Sequence, residues 1–498
     1  MVVSGSILLD WGLIGLVLAV AIVYVRSYTR LSHIPGPRLW GLSVFPLFQI
    51  HLNGGIYEKF GHLHQQYGPL VRVGPNTLLT ADPDVLRRMS AVRSPYTRSD
   101  WYVALRMNPG QDNVLSVRSE ARHDELRRKM GFGYSGKENL TLEQDIDDCV
   151  KEMVHLINTK YISGPGKIIP MDLARKIQFF TSDVMSKLSF NSKFHDLRDD
   201  NDNLGYIHEI ETVIPNIFCT CCIPQIIDFL TDIGFLGLIG PSTNSKLGLG
   251  KVLAITRDQV AKRFGPDGKA TGELKDMLGS FIRHGLTQKE AESESVFQLA
   301  AGSDTTASGL RATLLGILSS PLVYQKLIKE IDEGVAAGKI PSDDLIISDA
   351  QARELPYLQA CIKEGDTISG HFVPGGVSIA YSAKQVHHSP ALFGPDEYAY
   401  RPDRWILHSD GGDEASAEKI KAMEQNNELI FGYGKYQCLG KPVAMIELNK
   451  VILELFRRFE FTLMNPFNPW KTRCFGIHFQ TDMWVTVHRR TLHATGVE

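Results

Sequence analysis

The sequence predicts a mostly α-helical domain with small β-sheets at its edges, carried behind an N-terminal transmembrane helix. Three features carry that expectation: helical apolar periodicity from about residue 117 to 365, short extended runs on either side of it, and an uncharged apolar segment at the start. At about 150 residues per domain, 498 residues would make roughly three domains. Residues 40–498 nevertheless hold no repeat and no low-complexity linker, so they read as one large domain. An apolar content of 43% with 22% charged residues excludes disorder and collagen-like repeats. With 53 Lys+Arg against 56 Asp+Glu, a net charge of −3 gives no ground for a nucleic-acid partner. The seven cysteines are too few and too irregularly spaced for a disulfide framework.

Taken in order, residues 11–25 (WGLIGLVLAVAIVYV) carry no charge, and counting back to Val2 leaves only Asp10 as an interruption, enough to span a bilayer at 1.5 Å per residue. Arg26, Arg30 and Arg38 follow, which by the positive-inside tendency leaves the bulk of the chain cytosolic. A cleaved signal peptide is the alternative, but a basic leader and a small-x-small cleavage site are lacking. The reading is a single-pass anchor over 1–26, then a stiff hinge over 27–39 built on Ile34-Pro35-Gly36-Pro37. Leu70-Val71-Arg72-Val73 and Thr77-Leu78-Leu79-Thr80 form a strand pair turning at Gly74-Pro75-Asn76. Residues 377–381 and Trp484-Val485-Thr486-Val487 are also extended. Residues 212–227 have no charge but two prolines, which argue against a second span; Cys219, Cys221 and Cys222 within them lack partners at zinc-like spacing.

Chemistry concentrates in three places. A long helix is predicted from the capping box Thr287-x-x-Glu290 to Pro321, and in its middle lies Ala300-Ala301-Gly302-Ser303-Asp304-Thr305-Thr306. These are mediocre helix formers, and mid-helix hydroxyls bond back to the i−4 carbonyl. Apolar runs on both sides place the stretch in a buried helix, where an acid–alcohol pair calls for a reason. The second place is Phe431-Gly432-Tyr433-Gly434-Lys435-Tyr436-Gln437-Cys438-Leu439-Gly440, a glycine-rich loop leading into a helix whose backbone N–H groups can stabilise a Cys438 thiolate. An ordinary core cysteine needs no such loop. The third is His123-Asp124-Glu125-Leu126-Arg127-Arg128-Lys129, by default a solvated helix face.

Together these residues resemble the cytochrome P450 family. Phe431-x-x-Gly434-x-Tyr436-x-Cys438-x-Gly440 is similar to its haem-binding loop, Ala301-Gly302-x-Asp304-Thr305-Thr306 to its oxygen-activating helix, and Tyr400-x-Pro402-x-Arg404 to the segment preceding the loop. The anchor, the hinge and the order of motifs agree, in the manner of fungal microsomal members similar to the pisatin demethylase group. The resemblance implies a haem-thiolate fold holding haem b, with Cys438 as the axial ligand to iron. It implies catalytic roles for Asp304, Thr305 and Thr306, with protons relayed towards dioxygen. Ala301 and Gly302 would leave room for the cofactor. His123, Arg127 and Tyr436 would contact its propionates, and Phe431, Gly434 and Gly440 would shape the loop. The implied partners are an NADPH-dependent flavoprotein reductase, docked on basic residues such as Arg128, Lys129 and Lys441, a small lipophilic substrate, and the endoplasmic reticulum membrane with the catalytic domain cytosolic. The activity implied is insertion of one oxygen atom from O2 into an organic substrate, in fungal secondary metabolism. Two other readings are a reductase-independent isomerase or dehydratase, and a non-catalytic, deleted member.

One departure bears on this. The run Leu355 to Glu364 looks like the family's Glu-x-x-Arg helix, but Gly365-Asp366-Thr367 follow Glu364 and no arginine occurs before Arg401. The text from Asp366 to Gly376 resembles a segment that relatives carry some two dozen residues further on. The arginine that joins Glu364 and Arg404, and a strand lining the pocket, are therefore expected to be missing. Either coding sequence has been omitted, as at a mis-assigned splice junction, or the chain is truly deleted and holds haem poorly; removing one member of a buried charge network costs several kcal/mol.

Overall fold

The structure is a computed structural model that describes residues 22, 25, 26 and 28–490, apart from 109, 237–241, 266, 272–275, 343, 365–376 and 407–413. The expected anchor and the segment 366–376 lie outside the described residues, save for single positions near the end of the anchor.

The strands are β1 (Leu70–Arg72), β2 (Thr77–Thr80), β3 (Met171–Asp172), β4 (Ser378–Tyr381), β5 (Phe459–Leu463), β6 (Lys471–Cys474), β7 (His478–Thr481) and β8 (Trp484–Arg489). β1 and β2 pair antiparallel around the expected turn, with Leu70 opposite Thr80. β4 joins β2 in parallel, Thr77 beside Ser378, so a sheet of order β1-β2-β4 ties the two ends of the domain together and leaves β4 at an edge. β3-β8-β5 form a second sheet and β6-β7 a hairpin.

The helices that position the site are α1 (Phe45–Asn53), α2 (Pro83–Ser90), α3 (Glu120–Tyr134), α4 (Leu142–Leu156), α5 (Leu173–Phe190), α6 (Tyr206–Thr220), α7 (Pro224–Asp232), α8 (Gln288–Leu318), α9 (Pro356–Lys363) and α10 (Lys441–Arg458). The predicted capping box starts α8: Thr287 Oγ1 accepts from Glu290 N–H, and the Glu290 carboxylate accepts from Thr287 N–H. Thirty-one residues later α8 stops at Leu318, before Pro321 opens the next helix. Helices α4, α5, α8 and α10 bury their apolar faces in one core that includes Ile146, Phe180, Leu310 and Ile452, none of them exposed. Each such side chain contributes about 1.5–3 kcal/mol of burial.

Residues 212–227 fold as a corner. Pro215 lies within α6, Pro224 opens α7, and the two axes are bent by 104°. Among the described residues no single helix is long and apolar enough to cross a membrane.

Candidate functional site

The cysteine loop is closed by the Cys438 backbone N–H, which donates to the Phe431 carbonyl at 2.6 Å. Gly440 is the N-cap of α10. Gly434 has φ +56°, and a Cβ there would meet the Ser90 carbonyl oxygen at 2.3 Å, so the glycine is demanded by close approach to the end of α2. Burial pushes the Cys438 thiol up, against the backbone N–H groups of Gly440 and Lys441 and the charges of Arg127 and Lys441, all of which favour the thiolate. Yet Cys438 is exposed, while the other six cysteines are buried. The thiol is thus flanked by protein and still accessible.

Helix α8 shows the same signature. Along a mostly buried helix Thr305 is exposed, and Ala301, Ser308 and Gly309 are partly so. Steps of four and three residues put them on one face. Thr305 Oγ1 donates to the Ala301 carbonyl at 2.7 Å, the back-bond expected of a mid-helix threonine. Helix α3 bridges the two surfaces, since Tyr134 feels the charge of both Cys438 and Glu294 of α8.

The structure divides the α8 motif between two faces. Asp304 is buried against α5, where Gln178 Nε2 donates to its Oδ1 at 2.8 Å. Burial pushes its carboxyl up to about 7, opposed by Arg311 and by the Gln178 hydrogen bond. Thr306 is buried in the same turn. Gly302 is partly exposed as well, and a Cβ there would lie 2.5 Å from Met185 Sδ, so the glycine also allows α5 to pack on α8.

Three segments converge at the loop: α3, the cysteine loop itself and the irregular stretch that holds Arg98. Arg127 donates to the Gln437 carbonyl at 2.7 Å and so ties α3 to the cysteine loop. His123 is buried, both its ring nitrogens lack a hydrogen-bond partner among the described residues, and burial followed by Arg98 and Arg127 lowers it to about 4. The Tyr436 hydroxyl is turned towards the start of α3. It donates to Glu120, which also pairs with Lys435 at 2.8 Å. Its ring instead carries Arg98, 4.8 Å from the centroid. Arg98 is the residue sequence reasoning missed. It lies in an irregular segment with no motif, and only the folded chain brings it to His123.

Glu364 meets Arg404 as the motifs imply, at 2.9 Å with both side chains buried. It also accepts from the Arg401 backbone N–H at 2.8 Å and from Trp405 Nε1 at 2.6 Å. The two remaining members of the expected charge network are thus paired with each other, and the carboxylate is given two further donors.

An accessible thiol at a helix N-terminus, an accessible stripe on a buried helix, and cations beside a buried histidine without a partner among the described residues are the features of a haem-thiolate protein. The comparisons agree. The family model described as Cytochrome P450 matches residues 34–366 and 364–481, and this chain belongs to that family. It is similar to Cytochrome P450 monooxygenase ABA1 of Pyricularia oryzae (strain 70-15 / ATCC MYA-4617 / FGSC 8958), 40% identical over 96% of this chain and 97% of the relative. Cytochrome P450 monooxygenase aba1 of Botryotinia fuckeliana (strain B05.10) is 36% identical over 92% of each chain. Cytochrome P450 monooxygenase abl1 of Leptosphaeria maculans is 32% identical over 95% of this chain and 86% of the relative. The chain is thus a P450 monooxygenase by family, and the cofactor of the family is haem b held by a cysteine thiolate. The residues present fit that group: the orphaned nitrogens of His123 await an acceptor or donor, and Arg98 and Arg127 supply charge for its carboxylates.

Proposed function

We propose that this chain oxidises a lipophilic small molecule of fungal secondary metabolism by one oxygen atom, with electrons drawn from NADPH through a flavoprotein reductase. One C–H becomes C–OH, the second atom of O2 leaves as water, and two electrons and two protons enter. Thiolate-bound haem, through Cys438, supplies the activation of O2. Backbone N–H groups of Gly440 and Lys441 favour the sulfur as thiolate, His123, Arg98 and Arg127 would hold the cofactor's carboxylates, and Thr305 offers a hydroxyl on the open face of α8. Asp304, one residue away, holds a proton for delivery. The observation that carries this reading is the pairing of an accessible thiol in a closed loop with the accessible Ala301–Thr305 face of a buried helix. The test is the reduced, carbon-monoxide-bound spectrum. The thiolate-type band is expected in the native chain and is lost in Cys438→Ala; its absence from haem-loaded native protein would sink the proposal. Turnover independent of NADPH and reductase would instead favour an isomerase.

We place the protein at the endoplasmic reticulum membrane, single-pass with its catalytic domain cytosolic. Support comes from the apolar run at 11–25 and from Phe45 and Leu52 on α1 with Ile226 and Phe229 on α7, all large apolar side chains left exposed. Loss of the protein from the membrane fraction only on detergent treatment is expected; release by salt alone would refute integral anchoring. We also infer that the natural protein carries a segment between Glu364 and Gly365. The family match breaks into two pieces that overlap there, and the Pyricularia match runs over 507 positions, more than the 498 of this chain. Sequencing the mature transcript across those codons decides it, and an uninterrupted junction is the refuting result.

A further inference from the structure

Asp304 is a buried carboxyl, and Arg311, two turns further along α8, is a buried guanidinium. They do not touch. Between them stands Gln178 of α5, whose Nε2 donates to Asp304 Oδ1 at 2.8 Å while Arg311 Nη2 donates to its Oε1 at 2.6 Å. The orientation of the amide is forced. A guanidinium has only donors, so it must face the amide oxygen, which turns the NH2 group towards the carboxyl. Arg311 is itself anchored, with Nε and Nη2 donating to the Ala174 carbonyl at 3.0 and 2.7 Å. It cannot swing towards Asp304 without giving up those bonds.

We propose that Gln178 is a positioning residue for proton delivery: it separates Asp304 from Arg311 with a neutral amide and holds the acid by a single donated hydrogen bond, so that the carboxyl can both carry and release a proton. Direct pairing with Arg311 would lock Asp304 as a carboxylate; the absence of any donor would lock it as the acid. The spacer gives the intermediate case, and the balance of burial against these partners agrees with it. The other groups facing this site are Arg175 of α5, which pairs with Glu211 of α6 at 3.0 Å, and Tyr206 of α6, buried and near enough to feel the charge of Asp304. Arg175 and Glu211 are part-exposed and form the side of the network nearest solvent. The proposal rests on Asp304 acting as a proton carrier; the Gln178 role is read by titration, and turnover enters only to test the acid itself.

The experiment is an infrared pH titration of the haem-loaded protein, with the protonated-carboxyl band of Asp304 identified by its loss in Asp304→Asn. In the native chain the band titrates near neutrality. Gln178→Leu keeps the spacer and removes the donor, so the midpoint rises by about one pH unit or more. Gln178→Glu pairs with Arg311 and presents a like charge, and moves the midpoint in the same direction. A midpoint unchanged in both folded variants overturns the proposal. Unimpaired coupling of reductant to product in Asp304→Asn would overturn the role of the acid itself, while leaving the Gln178 shift measurable.

Discussion

His123 shows what a buried polar side chain means when its partners are withheld. Two unsatisfied ring nitrogens in the interior cost free energy of about 1–3 kcal/mol each unless something completes them. On the proposed reading one ring N–H would donate to a carboxylate of the cofactor, beside the charges of Arg98 and Arg127. Replacing His123 by Phe therefore removes an orphan rather than a contact of the haem-free protein. The expected outcome is a haem-free form at least as stable to heat as the native one, with haem retained per mole of protein falling by several-fold. Arg98→Leu is expected to lower haem retention as well. Full haem occupancy in both variants, by absorbance against protein concentration, would contradict the assignment.

At the level of elements, the cysteine loop depends on one backbone position. Gly434 combines a positive φ with a 2.3 Å approach of any added Cβ to the Ser90 carbonyl, so Gly434→Ala must move the loop or the end of α2. We expect a loss of about 2 kcal/mol or more, read as a lower unfolding midpoint, with Cys438 misplaced and the thiolate band weakened. This contact also marks where the sequence stops being readable. The β1–β2 turn, the Thr287–Glu290 box and the cysteine loop are local patterns of a few residues, and their geometry follows from turn, capping and glycine chemistry alone. Gly434 was legible as a close approach, but not that Ser90 is what it approaches. Arg98 and Gln178 carry no local signature at all; each acquires a role only when a helix distant in sequence is laid beside it. The same holds for Asp304 and Thr305, neighbours in sequence that the turn of α8 sends to opposite sides.

On the scale of the whole molecule, the core contains a charge hazard. Glu447 on α10 is fully buried, neither oxygen is hydrogen-bonded among the described residues, and burial alone raises its carboxyl well above the ordinary value. The sign follows from linkage: the folded state holds this proton more tightly than the unfolded chain does. Stability is therefore full below the ordinary carboxyl range of about 4.5 and declines as pH rises above it, until the folded group itself ionises. Glu447→Gln is expected to flatten that decline in a series of melting curves from pH 5 to 8, and an unchanged slope would show that the carboxyl is satisfied by other means.

Six of the seven cysteines are buried and Cys438 alone is accessible. The one accessible thiol is thus the one that the family's cofactor would take as its ligand. The same fact supplies a gauge. A chromogenic thiol reagent should count one fast-reacting group per haem-free chain and none per loaded chain, so the loaded fraction of any preparation can be titrated without a spectrum of the haem.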